Sequence, residues 1–437
     1  MTKSTRTRAV TGGDVPVLST RALNRATLER QLLLRRSREL SVKDAVTHLV
    51  GLQAQNVKPP YYALAARLAD FDPRELSALL ESRELVRMVT LRSTIHLHTA
   101  ADARVLRPFV QDALVRELSA FRGGLAGVDL GELAEAAREA VEAEPRTMQQ
   151  LREILLVRWP DADPQALAIA ARCTLPLVQV TPRGLWRRSG QVALTTVEKW
   201  LGPGADAALR PVSEDRRSDG RMPEDGLLRD RLPEDRLPED RVPEDIVPED
   251  IVLRYLAAFG PASVKDMQTW ARLTRMRGVF ERLRPRLRTF RDENGVELFD
   301  LPDAPRPDAD TPAPPRFLPE FDNLLLSHAD RTRVVPAEYK GRTWQGNFAY
   351  SVFLLDGFLA GVWRLAEDVR RGEAVLTIEP FGSPGRAERE ELTREAERML
   401  TRITGTPAPH PSASPSPSPS PASSSAYDIR FGTVIGR

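Results

Sequence analysis

The stretch Ser41-Val42-Lys43-Asp44-Ala45-Val46-Thr47-His48-Leu49-Val50-Gly51-Leu52-Gln53-Ala54-Gln55-Asn56-Val57-Lys58-Pro59-Pro60 decides how this chain is read. Ser41 has the character of an N-cap, and the apolar positions after it recur at helical spacing, which predicts a helix from Val42 to Leu52. Gln53 and Gln55 then alternate with Ala54 before two prolines force the backbone out of the helix. Polar side chains are thereby placed where regular structure stops. A carboxamide offers two donors and an acceptor and does not titrate, so a Gln-x-Gln pair can grip a water or a base edge at any physiological pH. From spacing alone the same pair also reads as a solvated helix end.

The elements on either side repeat one order. Ser19 caps a predicted helix through Arg36, with Leu23, Leu28, Leu32 and Leu33 on one face. Tyr62 to Leu68 and Pro73 to Leu80 follow as helices, and Val86 to Val89 with Thr94 to His98 alternate like a hairpin. Helices followed by a hairpin are the order of a winged helix. The order returns with helices Thr147 to Arg158 and Pro164 to Pro176, then strands Leu177 to Val180 and Gln191 to Thr196 around the turn Arg187-Arg188-Ser189-Gly190. It returns again with Pro248 to Phe259, Ser263 to Leu273 and Arg275 to Leu287, followed by a hairpin turning at Asn294-Gly295. Ser41-Val42-Lys43-Asp44-Ala45 reappears as Ser263-Val264-Lys265-Asp266-Met267 at the equivalent place.

A mainly β region comes next, with strands expected over Phe317 to Leu326, Phe348 to Leu355, Phe358 to Arg364 and Ala374 to Pro380. An amphipathic helix, Pro384 to Thr401, and a closing strand, Tyr427 to Val434, complete it. Two segments lie outside this pattern. The repeat Leu-Pro-Glu-Asp-Arg, Val-Pro-Glu-Asp-Ile from Leu232 has proline and dense charge that oppose a helix and a core. Residues 406–425 are Ser/Pro-rich and read as a linker. The expected organisation is a flexible tail (1–17), unit one with the glutamine motif (18–125), unit two (126–212), a disordered acidic insert (213–247), unit three (248–303), the β-rich region (304–404), a linker (405–426) and a closing strand (427–437).

With 437 residues, 41% of them hydrophobic, the chain can build real cores in roughly two to four domains. It holds no long uncharged apolar run, and residues 1–10 lack an apolar signal core, so a cytoplasmic, nucleoid-associated monomer is expected, without a membrane. The net charge of +2 hides an asymmetry: residues 213–251 hold 7 basic against 14 acidic side chains, leaving the remainder at +9. A basic body is compatible with nucleic acid and equally with a solvated surface. Cys173 is the single cysteine, set in an apolar helical context, so no internal disulfide forms. His48, His96, His98, His328 and His410 show no familiar ligand spacing, and neither a metal nor a cofactor is expected.

Four segments carry a resemblance to a known family: Gly51-Leu52-Gln53-Ala54-Gln55, Leu91-Arg92-Ser93-Thr94-Ile95-His96-Leu97-His98, Pro182-Arg183-Gly184-Leu185-Trp186, and the run from Phe317 to Arg331. Through them the chain resembles the AlkZ-like DNA glycosylases, with the YcaQ-like glycosylases as wider relatives. The resemblance implies an α+β fold, with three tandem winged helices and a β-rich C-terminal region forming a concave channel for duplex DNA. It implies hydrolysis of the N-glycosidic bond of an N7-alkylated purine, including bulky adducts or interstrand crosslinks, in some members as self-resistance to a DNA-alkylating natural product. Gln53 and Gln55 match the catalytic Gln-Φ-Gln motif; relatives with Gln-Φ-Asp place a carboxylate where this chain has Gln55. His96 and His98, two apart on a strand, face one side and are candidates for contacting the lesion. Lys58, Arg92, Arg187 and Arg188 are candidates for phosphate, and Asp322, Asp330 and Arg331 match a family motif that reads either as a buried ion-pair and turn-capping network or as chemistry. The competing class is a non-enzymatic winged-helix regulator, for which a basic recognition helix and a dimerisation element are expected.

Overall fold

The computed structural model describes residues 15–202, 247–346, 348–368, 371, 373–404 and 426–433. Residues 213–246 of the acidic insert, the Ser/Pro segment and His410 lie outside the described residues; the last Val-Pro-Glu-Asp-Ile copy, Val247 to Ile251, is described, and against the expectation for the repeat its Pro248 opens helix Pro248–Phe259, where a missing N–H costs nothing. The fold is mixed α+β, and its contacts group into two compact units, one of residues 1–50, 59–73 and 249–437, the other of 51–58 and 74–248.

Local signals account for most of the helix starts. Ser19, Ser41, Thr147 and Ser263 each accept a backbone N–H two or three residues ahead, opening helices Thr20–Arg30, Val42–His48, Met148–Arg158 and Val264–Ala271. The repeated Ser-Val-Lys-Asp segment is thus one capping device used twice, the later copy a reciprocal box between Ser263 and Asp266. The ends differ from the sequence expectation. The first helix stops at Arg30, because Leu32 turns into the left-handed region and Leu33 N–H donates back to Leu28. The second stops at His48, ahead of Val50 and Gly51 with φ of 54° and 95°. Pro59 and Pro60 then open the helix Pro59–Arg67, since a missing N–H costs nothing in a first turn.

In the first unit, helix Thr20–Arg30 buries polar side chains as completely as apolar ones. Asn24, Arg25, Thr27 and Arg30 are as inaccessible as Leu23 and Leu28. Each polar head finds a fixed partner: Asn24 donates to the carbonyls of Arg333 and Gly357, and Arg30 grips both oxygens of Asp300 at 2.6 and 2.9 Å. Strands Arg288–Asp292 and Glu297–Asp300 form the hairpin turning at Asn294-Gly295, and Val17–Leu18 pairs in parallel with the former. Val17 therefore lies in a strand, one residue inside the segment read as a tail. The β-rich region is a five-stranded sheet ordered Arg316–Leu318, Ser351–Leu355, Phe358–Asp368, Glu373–Pro380 and Ala426–Phe431, the last pair parallel. Phe317 to Leu326 is not one strand: Phe321 has φ 61° and Asn323–Leu325 closes a 3-10 turn. Helix Arg386–Thr404 buries Leu392, Ala396, Met399 and Leu400.

The second unit is built on one six-stranded antiparallel sheet in the order Leu52–Gln53, Ile95–Thr99, Leu85–Val89, Leu177–Gln179, Ala193–Thr196, Arg146–Thr147. The first two hairpins of the sequence reading are joined edge to edge, Arg87 opposite Gln179 and Met88 opposite Val178. Helices Ala100–Phe109, Gln111–Glu117 and Leu130–Ala143 fill the interval that the sequence reading passed over, the last burying Leu133, Ala137 and Val141 at four-residue spacing. Arg187 and Arg188 sit on a long loop, residues 180–192, rather than on a tight turn. Among the described residues no helix is long and apolar enough to cross a membrane.

Asp322 accepts two 2.8 Å hydrogen bonds from Arg67, both side chains fully inaccessible, and also caps the turn through Leu324 N–H at 3.0 Å. Asp322→Ala strands a buried guanidinium, and denaturant unfolding is expected to show a loss of about 3–5 kcal/mol, with most of it regained in Arg67→Met/Asp322→Leu. A loss within about 1 kcal/mol in the single variant contradicts this. Burial, with Arg333 beside it, pushes the His328 imidazole down to about 3. The unfolded histidine takes up its proton near about 6.5, so stability declines as pH falls through the window from about 6.5 to about 3. The slope from this residue reaches about 1.4 kcal/mol per pH unit. Unfolding curves at about pH 7 and pH 5 should differ less in His328→Gln than in the parent.

Candidate active site

Gln53 belongs to a strand, not to a helix end. Leu52 pairs with Leu97 and Gln53 with His96, and Ala54 N–H donates to the Ile95 carbonyl at 2.7 Å. The approach depends on Gly51, where a Cβ would fall 2.3 Å from His98 Nδ1 and 2.9 Å from the Leu97 carbonyl oxygen, at a φ that side chains seldom adopt. The motif is held from behind by Arg87, a fully buried residue of strand Leu85–Val89. Its Nη2 donates to the Ala54 carbonyl at 2.7 Å and its Nε to Gln179 Oε1 at 3.2 Å.

A guanidinium reaches Gln53 and His96 together. Arg92 Nη2 donates to Gln53 Oε1 at 2.9 Å and lies 3.0 Å from His96 Nε2. Gln53 is 7% exposed, whereas Gln55 is exposed and accepts from Ile95 N–H at 3.3 Å. Both carboxamide oxygens thus have a donor from the protein, and each keeps a second lone pair and an amide group for other partners. His96 and His98 stack with ring centroids 5.6 Å apart and are both buried; His98 Nε2 is 2.8 Å from Thr90 Oγ1. Burial, reinforced by Arg92 and His98, holds His96 well below its ordinary pKa, so it is neutral at physiological pH.

Gln55 also rims a cavity of about 350 Å³ on the same sheet, walled by Met88, Ile95, Met148, Ile169 and Leu194, with Gln179 and Arg152 among its polar groups. The size lies within the range of roughly 300–1,000 Å³ typical of small-molecule sites. Arg87 links this cavity to the motif, because it holds Gln179 and Ala54 together.

The structure therefore assembles Gln53, Gln55, Arg92, His96 and His98. Lys58 is exposed near the motif in sequence; Arg187 and Arg188 are exposed on the 180–192 loop, Arg187 beside the Trp186 ring at 5.7 Å. Asp322, Asp330 and Arg331 belong to the other unit. Asp322 is locked to Arg67, Asp330 accepts from Thr332 N–H at 2.9 Å, and Arg331 is exposed. Sequence reasoning missed Arg87, Gln179 and the cavity wall. A lone arginine inside the apolar strand Leu-Val-Arg-Met-Val was the available signal, because a cation there must meet buried acceptors. Among the described residues no three His, Cys, Asp or Glu groups gather to hold a metal ion.

The solved Streptomyces sahachiroi DNA glycosylase AlkZ is similar in fold, with a TM-score of 0.67 at 20% identity, over 95% of this chain and 100% of that one. No curated protein matches the chain. The family model described as DNA glycosylase AlkZ-like matches residues 46–402, a span holding the glutamine pair, the hairpin and the Phe317–Arg331 segment. By that match the chain belongs to the AlkZ-like DNA glycosylase family.

Proposed function

We propose that this glycosylase is monofunctional and hydrolyses the N-glycosidic bond of N7-alkylated purines in duplex DNA, with Gln53 and Gln55 acting jointly on the reacting sugar and water. This includes the expectation of three winged-helix units and a channel for the duplex. The observation that carries it is the pairing of two untitratable carboxamides at alternate positions, with Gln53 beside the Arg92 guanidinium and a neutral His96.

The chemistry suits such a pair. Alkylation at N7 places a positive charge on the purine, so the C1′–N9 bond breaks with its electron pair neutralising the base, and little acid is needed. The deoxyribose develops oxocarbenium character. Carboxamide oxygens stabilise that charge and orient a water whose oxygen bonds to C1′ while its proton passes to solvent. A neutral nucleophile suffices against so reactive a carbon, which makes a carboxylate at position 55 dispensable.

The cavity beside Gln55 supports a substituent larger than methyl on the leaving base. Bulky adducts, crosslinks and a role in self-resistance to a genotoxin are part of this reading. In single-turnover assays on duplex carrying N7-methylguanine, Gln53→Ala/Gln55→Ala is expected to slow base release by about 10²-fold or more. Wild-type rates in that variant refute the mechanism, and retention of undamaged operator DNA without base release would mark a regulator instead. Ile169→Trp fills the cavity and should lower excision of an N7-arylalkyl guanine about tenfold more than that of N7-methylguanine; equal losses would show that the cavity plays no part in selecting the adduct.

A further inference from the structure

We propose that Arg92 is a positioning residue that fixes the polarity of the Gln53 carboxamide and, through the same nitrogen, engages the Nε2 lone pair of His96. The inference rests on the reading of Gln53 given above. It begins with the backbone. Arg92 has φ 54° and ψ 19°, and Ser93 follows at φ 58°, two successive left-handed non-glycine residues between strands Leu85–Val89 and Ile95–Thr99. Such conformations are disfavoured for residues with a side chain and persist only where the surroundings over-determine them. Here Ser93 N–H donates to Thr90 and Thr94 N–H to Leu91, both at 3.1 Å. The turn so formed brings the half-buried Arg92 side chain to Gln53 and His96.

A guanidinium has donors and no acceptor. The Gln53 atom 2.9 Å from Nη2 is therefore the carbonyl oxygen, and the amide nitrogen is turned elsewhere. By the same logic His96 Nε2, at 3.0 Å, presents a lone pair, which leaves the proton on Nδ1, where it donates to the Thr94 carbonyl at 2.9 Å. The neutral state that burial imposes on His96 agrees with this. One nitrogen thus meets both acceptors, and the Thr94 carbonyl, which can only accept, holds the same His96 tautomer from the other side. Without the Arg92 nitrogen the two ends of the carboxamide are nearly isosteric and exchange, and the site no longer offers water and sugar a fixed donor and acceptor.

The experiment uses the full chain and its Arg92→Met and Arg92→Lys variants. It measures single-turnover excision from duplex carrying N7-methylguanine, affinity for undamaged duplex, and nitrogen-15 histidine spectra. Arg92→Met is expected to slow bond cleavage about tenfold or more at saturating protein, with duplex affinity within about threefold. The His96 Nε2 resonance should move toward that of an unbonded pyridine-type nitrogen while the Nδ1–H held by Thr94 persists, and Arg92→Lys, which keeps a charged donor, should recover part of both effects. Weaker duplex binding with unchanged cleavage would overturn the proposal and make Arg92 a phosphate contact; an unaltered His96 Nε2 resonance in Arg92→Met would overturn it as well. If the parent chain releases no base, the glycosylase mechanism fails, and the spectra still decide whether Arg92 sets the cluster's polarity.

Discussion

Two residues of strand pairing govern the site. Leu52 opposite Leu97 and Gln53 opposite His96 hold the glutamine motif against the first hairpin, and a slip of one position would turn each side chain to the opposite face. So short a strand has little stability of its own. It is retained by the Ala54–Ile95 backbone bond, by Arg87 holding the Ala54 carbonyl, and by the absence of a side chain at Gly51. The position of the Gln53 side chain beside His96 and Arg92 follows from this register.

The same solution to a general problem recurs in both units. Arg25, Arg30, Arg67 and Arg87 are buried, and each guanidinium spreads its donors over carbonyls, carboxamides or carboxylates. Burying a cation without partners would be prohibitive, and the planar fork of arginine satisfies several acceptors at once in a way an ammonium does not. At Arg92 this habit enters the candidate site itself. There two of the acceptors are a neutral amide and a neutral imidazole.

The cluster around Gln53 is ordered by geometry: a strand register, a strained turn, a stacked pair of buried histidines. The cavity at Gln55 adds an apolar wall on the same sheet.

The sequence alone determined the elements with local signatures: the capped starts at Ser19, Ser41, Thr147 and Ser263, the hairpin at Asn294-Gly295, the strands from Ser351 onward, and the family motif that names Gln53 and Gln55. Caps and periodicity lie within a few residues of what they specify, so they are legible without a fold. Only the tertiary structure decided that Gln53 is a strand residue, that Asp322 meets Arg67 across 255 positions, and that Arg92 turns back onto the motif. Those facts depend on left-handed turns and on partners distant in the chain, and a buried arginine outside an apolar strand, such as Arg67, looks in sequence like any other surface charge.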